Sequence, residues 1–206
     1  NGYRTALIGK WHLGYLQKHH PMNFGFQKFV GFKSGNVDYQ SHRNRYGDVD
    51  WWDGLEMKNM PGYTTTLLTT LSEDYIKENK DKPFCLYIAH AAPHSPMQGP
   101  NEKAIRTEAT LEGDKNSDRP NKEIYKDMVE ELDWSVGRIL ETLKKYKLDK
   151  NTFVVFFSDN GPVINNGGST GGYRGAKGAP WEGGHRVPGI CYMPGTVKGG
   201  TMCKQT

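Results

Sequence analysis

The chain has 206 residues and a formal net charge of +4 at neutral pH. At roughly 100–200 residues per domain, this length suits a single domain. Hydrophobic residues make up 35% of the chain and charged residues 24%, a composition typical of neither disordered nor membrane-embedded proteins. The small charge does not indicate a nucleic-acid surface. No apolar run approaches the roughly 20 residues of a membrane-spanning helix.

Strand and helix patterns alternate along the first half of the chain. Residues 3–8 are predicted to form a strand, and residues 21–62, rich in aromatic, Asn, Asp and Gly residues, to be long irregular structure with room for one short helix. Residues 66–80 carry a helical apolar face. Residues 84–89 form a continuous apolar run, which is typical of a strand buried on both faces.

The second half continues the alternation. Residues 121–148 have the longest helical pattern, with Asn121 as the predicted N-cap. Residues 152–157 are a second run of the buried-strand type, and residues 187–193 are predicted as a last strand. Residues 159–186 contain nine glycines and no apolar period. Continuous apolar strands between amphipathic helices predict an α/β fold with a mostly parallel sheet.

Polar side chains follow the predicted strands, at the edge where ligands bind to parallel α/β sheets. Lys10 and His12 follow the first strand, and if that strand continues, period-two alternation places both side chains on one face. His94 lies between two prolines, which restrict the backbone on both sides. A cation beside imidazoles suits an anionic ligand and a proton transfer. Each residue alone is also consistent with a packed or solvated side chain.

Asp159, Asn160 and Gly161 follow the strand predicted at residues 152–157. Carboxylate and amide oxygens are ligands of hard cations such as Ca²⁺ and Mg²⁺. An ordinary turn uses the same three residue types. Because a Ca²⁺ site takes about 6–8 oxygens, further ligands must come from elsewhere in the protein.

The glycine-rich stretch 171–178 superficially suggests a phosphate-binding loop. Its lysine is preceded by Ala176 and followed by Gly178, where the Walker pattern requires Gly and then Ser or Thr. A nucleotide site is therefore not expected. Arg174 and Lys177 remain candidate anion contacts.

Four motifs follow one another along the chain: GYRTALIGKWHLG at residues 2–14, APHSP at 92–96, FFSDNG at 156–161 and YRGAKGAPWEGGHRVPG at 173–189. In this order they resemble the formylglycine-dependent sulfatases of the alkaline phosphatase superfamily. The resemblance implies an alkaline phosphatase-like α/β/α sandwich with a mostly parallel central sheet. It also implies that residues 1–206 are part of one catalytic domain, truncated at both ends.

The resemblance implies a role for each matching residue. Lys10 would bind the sulfate group and the nucleophile, and His12 would hydrogen-bond the hydrated formylglycine and help to expel sulfate. His94 would contact the sulfate and assist protonation of the leaving group. Lys177 would bind the sulfate and the bridging oxygen.

Two further groups are implied by the resemblance. Asp159 and Asn160 would be two ligands of a Ca²⁺ ion, with Mg²⁺ the less favoured metal. The formylglycine would derive from a C-x-P-S-R or S-x-P-S-R motif that precedes the GKWH segment in the family, together with a pair of aspartates. Neither the motif nor the pair occurs here. We therefore expect an upstream segment to supply them, and residues 1–206 alone to have no sulfatase turnover.

The implied function is hydrolysis of sulfate monoesters, on a sulfated carbohydrate or another small sulfate ester. A phosphate or phosphonate ester hydrolase of the same superfamily and an inactive binder of sulfated glycans are the alternatives. His42, Asp38 and the Trp51–Trp52 pair are candidate sugar contacts through hydrogen bonds and stacking, although the tryptophans suit a core equally well. The resemblance implies a periplasmic, secreted or lysosomal protein, and nothing in the sequence indicates an oligomeric state.

Overall fold

A computed structural model describes residues 2–108 and 118–203. The chain forms two compact units, residues 1–139 and 140–206, and the division falls inside a long helix. That both units belong to one catalytic domain stays a prediction. In the described ranges, every helix is too short or too polar to cross a bilayer.

A five-stranded mixed sheet forms the centre of the first unit. In chain order its strands are β1 (Arg4–Lys10), β2 (Lys28–Phe32), β3 (Trp52–Asp53), β4 (Glu56–Met57) and β5 (Phe84–Ala89). The spatial order is β4-β3-β2-β1-β5, with β1 parallel to both of its neighbours and β3 and β4 added in antiparallel pairings. The strands predicted at residues 3–8 and 84–89 are confirmed, and the centre of the sheet is parallel as expected.

The prediction of irregular structure over residues 21–62 is wrong at β2, β3 and β4. Strand β2 reads as KFVGF, in which a lysine and a glycine interrupt the apolar pattern. Gly31 lies opposite Gly9 in the parallel pairing, and a Cβ on Gly31 would approach the Gly9 carbonyl oxygen to 2.1 Å. Gly31 interrupts the apolar pattern of the strand, and the close approach of Gly9 on β1 requires a glycine at this position.

Two long helices form where their apolar periods predict, and the first of them packs on β1 and β5. They are α1 (Thr64–Asn79) and α2 (Asn121–Lys145). In α1, Leu68, Tyr75 and Ile76 are buried. The prediction that Asn121 is an N-cap is wrong, because the helix already includes this residue and the carbonyl of Pro120 accepts the first helical hydrogen bonds.

The second unit contains a two-stranded antiparallel ribbon and one short helix. Its elements are β6 (Val154–Phe157), α3 (Glu182–His185) and β7 (Gly189–Tyr192). The expectation that β5 and β6 are buried on both faces is wrong. Tyr87 in β5 is 49% exposed, and Val155 and Phe157 in β6 are 48% and 58% exposed. Alternate residues of both strands are exposed, so one face of each strand is covered only in part.

Candidate active site

Three of the predicted site residues follow two neighbouring parallel strands of the first unit. Lys10 is the last residue of β1, and His12 comes two residues later. His94 comes five residues after the end of β5. Gly9 and Ala89 are opposite each other in the pairing of these strands. The carboxyl ends of β1 and β5 therefore meet at one edge of the sheet, where β1 ends at Lys10 and β5 leads into the loop that carries His94.

The backbone at His12 differs from the expectation. The strand ends at Lys10, and His12 has a φ of 57°, so strand alternation does not place the two side chains on a common face. Instead, the His12 N–H donates to the Lys33 carbonyl at 3.2 Å. The imidazole lies against Gly35, where a Cβ would be 2.6 Å from Nε2. Gly35 thus makes room for the exposed His12 ring.

Hydrogen bonds fix both the backbone and the ring of half-buried His94. Its N–H donates to the Ala91 carbonyl at 2.9 Å, and its carbonyl accepts from the Tyr39 hydroxyl at 2.9 Å. The ring atom Nδ1 lies 2.8 Å from the Ser95 carbonyl oxygen. Because a carbonyl can only accept, this contact assigns the hydrogen to Nδ1 and makes Nε2 the basic nitrogen of the neutral ring.

Sequence analysis missed a further cation at this edge, Lys33, because it follows the unpredicted strand β2. Its Nζ lies 3.4 Å from the centroid of the Trp52 ring, and its side chain is buried. Burial lowers the pKa of Lys33, and the nearby Asp50 carboxylate opposes this shift. That carboxylate also accepts from the backbone N–H groups of Lys33 and Ser34, at 3.1 and 2.8 Å. Asp50 therefore shapes the turn beside His12.

Three of the four candidate sugar contacts are buried, and the fourth, Trp52, is half-buried. His42 is 1% exposed, and Asp38 and Trp51 are 0% exposed. His42 packs on the Trp51 ring at 4.3 Å between centroids. Asp38 accepts backbone hydrogen bonds from four residues: Gln40, Ser41, Ile105 and Arg106. The prediction that these side chains meet a ligand therefore finds no support, whereas the core alternative for Trp51 is confirmed.

The buried histidines predict a stability that is sensitive to acid. Burial lowers the pKa of His42 and of His90 from 6.5 to about 4. Because the unfolded chain binds these protons more tightly, their contribution is complete above pH 6.5 and is lost as the pH falls from 6.5 towards 4. Between about pH 7 and pH 5 we expect a loss of roughly 2 kcal/mol per histidine.

Urea unfolding at several pH values measures this loss. His42→Asn removes one of the buried histidines whose pKa is lowered, and asparagine tolerates the left-handed φ of 55° at this position. We expect the unfolding free energy to depend less steeply on pH in this variant than in the parent. An unchanged slope would contradict the assignment of the acid sensitivity to His42.

The other three predicted site residues follow β6 and lie in the second unit. Asp159 and Asn160 come directly after the strand, and Lys177 lies in the glycine-rich loop. The Lys177 N–H donates to the Pro162 carbonyl at 3.0 Å, and the Gly161 N–H donates to the Gly184 carbonyl at 2.8 Å. These bonds join the loop that carries Lys177 to the turn that carries the two metal-ligand candidates.

Glycines at two points allow this loop and turn to pack closely. A Cβ on Gly161 would lie 2.0 Å from the Gly183 carbonyl oxygen. Arg174 stacks on the Trp181 ring at 3.7 Å and so has an internal partner besides any anion. Arg186 pairs with Glu182 at 3.1 Å, which agrees with a structural role in ordering the turn.

The residues after β6 suit a hard cation in their donor chemistry. The Asn160 Nδ2 donates to the Gly161 carbonyl at 2.9 Å, so the amide oxygen Oδ1 is oriented as an acceptor beside the exposed Asp159 carboxylate. Two oxygens are fewer than a Ca²⁺ ion requires. Across residues 2–108 and 118–203, no group of three His, Cys, Asp or Glu side chains is arranged to hold a metal. These residues fit part of a calcium site.

Comparison with known proteins identifies the family of this chain. The Sulfatase family model matches residues 1–205. Arylsulfatase J from Mus musculus is 33% identical, over 99% of this chain and 34% of that protein. N-acetylgalactosamine-6-sulfatase from Homo sapiens is 32% identical, over 99% of this chain and 40% of that protein. The chain therefore spans less than half the length of these relatives.

Solved structures agree with the family match. Ps i-CgsB, crystallised in complex with k-i-k-neocarrahexaose, superposes with a TM-score of 0.78 at 29% identity, covering 95% of this chain and 45% of that chain. The PsFucS1 sulfatase from Pseudoalteromonas sp. superposes with a TM-score of 0.69 at 26% identity, over 95% and 43% of the two chains. These likenesses confirm the alkaline phosphatase-like fold, and since the family model covers almost every residue, the chain belongs to the sulfatase family.

Proposed function

We propose that the protein hydrolyses sulfate monoesters, with a sulfated carbohydrate as the substrate. The observation that supports this proposal is the position of Lys10 and His12 at the carboxyl end of β1, and of His94 on the loop after its parallel neighbour β5, in a chain of the sulfatase family. The carbohydrate part draws support from a relative named for N-acetylgalactosamine 6-sulfate and from a structural neighbour crystallised with a carrahexaose.

Sulfate ester cleavage needs positive charge at the sulfuryl oxygens, because negative charge is present there throughout the reaction. We assign this task to the ammonium groups of Lys10 and Lys177. Lys10 is half-buried at the end of β1, whereas Lys177 is exposed on its loop. Strand pairing holds the backbone of Lys10, and a hydrogen bond to the Pro162 carbonyl holds that of Lys177.

The departing alkoxide needs a proton, which we assign to Nε2 of His94. The Ser95 carbonyl accepts from Nδ1 and also stabilises the imidazolium form, which carries a hydrogen on each ring nitrogen. His94 can therefore donate from Nε2 while Nδ1 remains hydrogen-bonded. His12 provides a second imidazole for proton transfer at the same edge.

Asp159 and Asn160 would provide two oxygen ligands to a Ca²⁺ ion. When bound, that ion supplies further positive charge for the sulfuryl oxygens and the nucleophile. The family nucleophile is formylglycine, and Cys85, Cys191 and Cys203 all lie outside a C-x-P-S-R motif. We propose that the nucleophile comes from a segment beyond these residues and that the full-length protein is exported or lysosomal.

An assay of the full gene product tests this function. We expect release of inorganic sulfate from N-acetylgalactosamine 6-sulfate or 4-nitrophenyl sulfate, loss of turnover in chelator and its recovery with Ca²⁺. The matching phosphate esters should react much more slowly. Faster hydrolysis of the phosphate esters would favour a phosphatase, and binding of a sulfated glycan without turnover would favour an inactive binder.

A further inference from the structure

Two stacked tyrosines hold the loop that carries His94. The rings of Tyr39 and Tyr63 stack at 5.4 Å between centroids, with an interplanar angle of 23°. The Tyr39 hydroxyl donates to the His94 carbonyl at 2.9 Å, and the Tyr63 hydroxyl donates to the Gln98 carbonyl at 2.8 Å. Each tyrosine therefore donates one hydrogen bond to a backbone carbonyl of the same loop. The bond from Tyr39 is at His94, whereas the bond from Tyr63 is four residues further on, at Gln98.

Hydrogen bonds to its backbone N–H and to its carbonyl hold Tyr39 in place. Its N–H donates to the Gln98 Oε1 at 2.7 Å, and its carbonyl accepts from the Thr64 N–H and hydroxyl at 2.8 and 3.0 Å. The residue is 0% exposed. Burial raises the pKa of the phenol well above its ordinary value, so the hydroxyl stays a donor throughout the working range of an enzyme.

The bond from Tyr39 affects the imidazole through the backbone. It holds the peptide between residues 94 and 95, and the next peptide carries the Ser95 carbonyl that accepts from Nδ1. A rotation of the first peptide would move that acceptor away from the ring. The hydrogen bond from Tyr39 therefore helps to hold the Ser95 carbonyl where it can accept from Nδ1.

We propose that Tyr39 is a positioning residue for His94, which aims Nε2 at the leaving oxygen by fixing the His94 carbonyl. This inference rests on the proposed function, since it assumes that His94 protonates the leaving group. The competing explanation is that Tyr39 only stabilises the fold. The two explanations differ in how activity depends on the leaving group, because a loss of folded protein reduces turnover of every substrate by the same factor.

Tyr39→Phe and Tyr63→Phe in the full gene product form a matched pair, since each keeps the stacked ring and removes one buried hydrogen bond. The two probes are N-acetylgalactosamine 6-sulfate, whose alkoxide needs a proton, and 4-nitrophenyl sulfate, whose phenolate leaves without one. We expect Tyr39→Phe to lower kcat about tenfold or more on the sugar sulfate and only slightly on the aryl sulfate. Tyr63→Phe should lower both by one common factor.

An equal loss on both substrates in Tyr39→Phe, or no loss on either, would overturn the positioning role and leave the sulfatase proposal intact. If the parent protein hydrolyses neither sulfate, the sulfatase proposal fails instead. The imidazole ¹⁵N spectrum then decides the positioning role without turnover. We expect the Nδ1–H tautomer of His94 in the parent and in Tyr63→Phe, and a mixture of tautomers in Tyr39→Phe. Identical His94 spectra in all three would refute positioning.

Discussion

His94→Ala in the full gene product is expected to lower kcat on a sugar sulfate by about 10²–10⁴-fold, the usual contribution of a positioned general acid. The ring is held by the Ser95 carbonyl at Nδ1 and by two backbone hydrogen bonds, so in the proposed mechanism it would meet the departing oxygen in one orientation. Alanine removes the proton donor that we assign to the departing alkoxide. The loss should be much smaller on 4-nitrophenyl sulfate, which has a weakly basic leaving group.

Steady-state kinetics on both substrates, with the folded fraction measured by circular dichroism, checks this result. His19→Ala is the control, because it removes a half-buried histidine on a short 3₁₀ helix that has no role in the proposed mechanism. We expect this control to keep the parent's ratio of activities on the two sulfates. A loss in His94→Ala of the same size on both sulfates would remove His94 from the role of acid.

Gly9→Ala is expected to cost about 4 kcal/mol or more of unfolding free energy, a large fraction of the roughly 5–15 kcal/mol that stabilises an ordinary domain. Gly9 pairs with Gly31 on one side and Ala89 on the other. A Cβ on it would lie 2.1 Å from the Ala89 carbonyl oxygen, and its φ is +123°. The added methyl group meets backbone on a neighbouring strand, which cannot move aside as a flexible side chain could.

Gly25→Ala separates this clash from backbone strain. Gly25 also has a positive φ, +96°, but a Cβ there would have nothing within 4 Å. Its substitution should cost only about 1–2 kcal/mol, the price of a left-handed conformation for an L-residue. Urea unfolding of the two variants measures the difference. Similar stabilities for both would show that β1 can separate from β5 more easily than the register implies.

The apolar patterns of the sequence predict the elements that depend on local chemistry. Strands β1 and β5 and helices α1 and α2 are uninterrupted by glycine clusters and carry regular apolar patterns, so they are visible in the sequence. Strand β2 is not visible as a pattern in the sequence, because the close approach of Gly9 on the neighbouring strand requires a glycine at position 31. Its absence from the prediction also removed Lys33 from the candidate residues.

The sequence by itself identified the family motifs and the six candidate residues, because residue type and order are enough to recognise them. Only the tertiary structure decided which of the other candidate side chains are exposed to solvent. It placed His42 and Asp38 in the interior, since both are covered by residues distant along the chain. It also joined Tyr39 to His94 across 55 residues. Burial and hydrogen-bond partners arise from contacts between distant segments, and no local pattern of residues contains them.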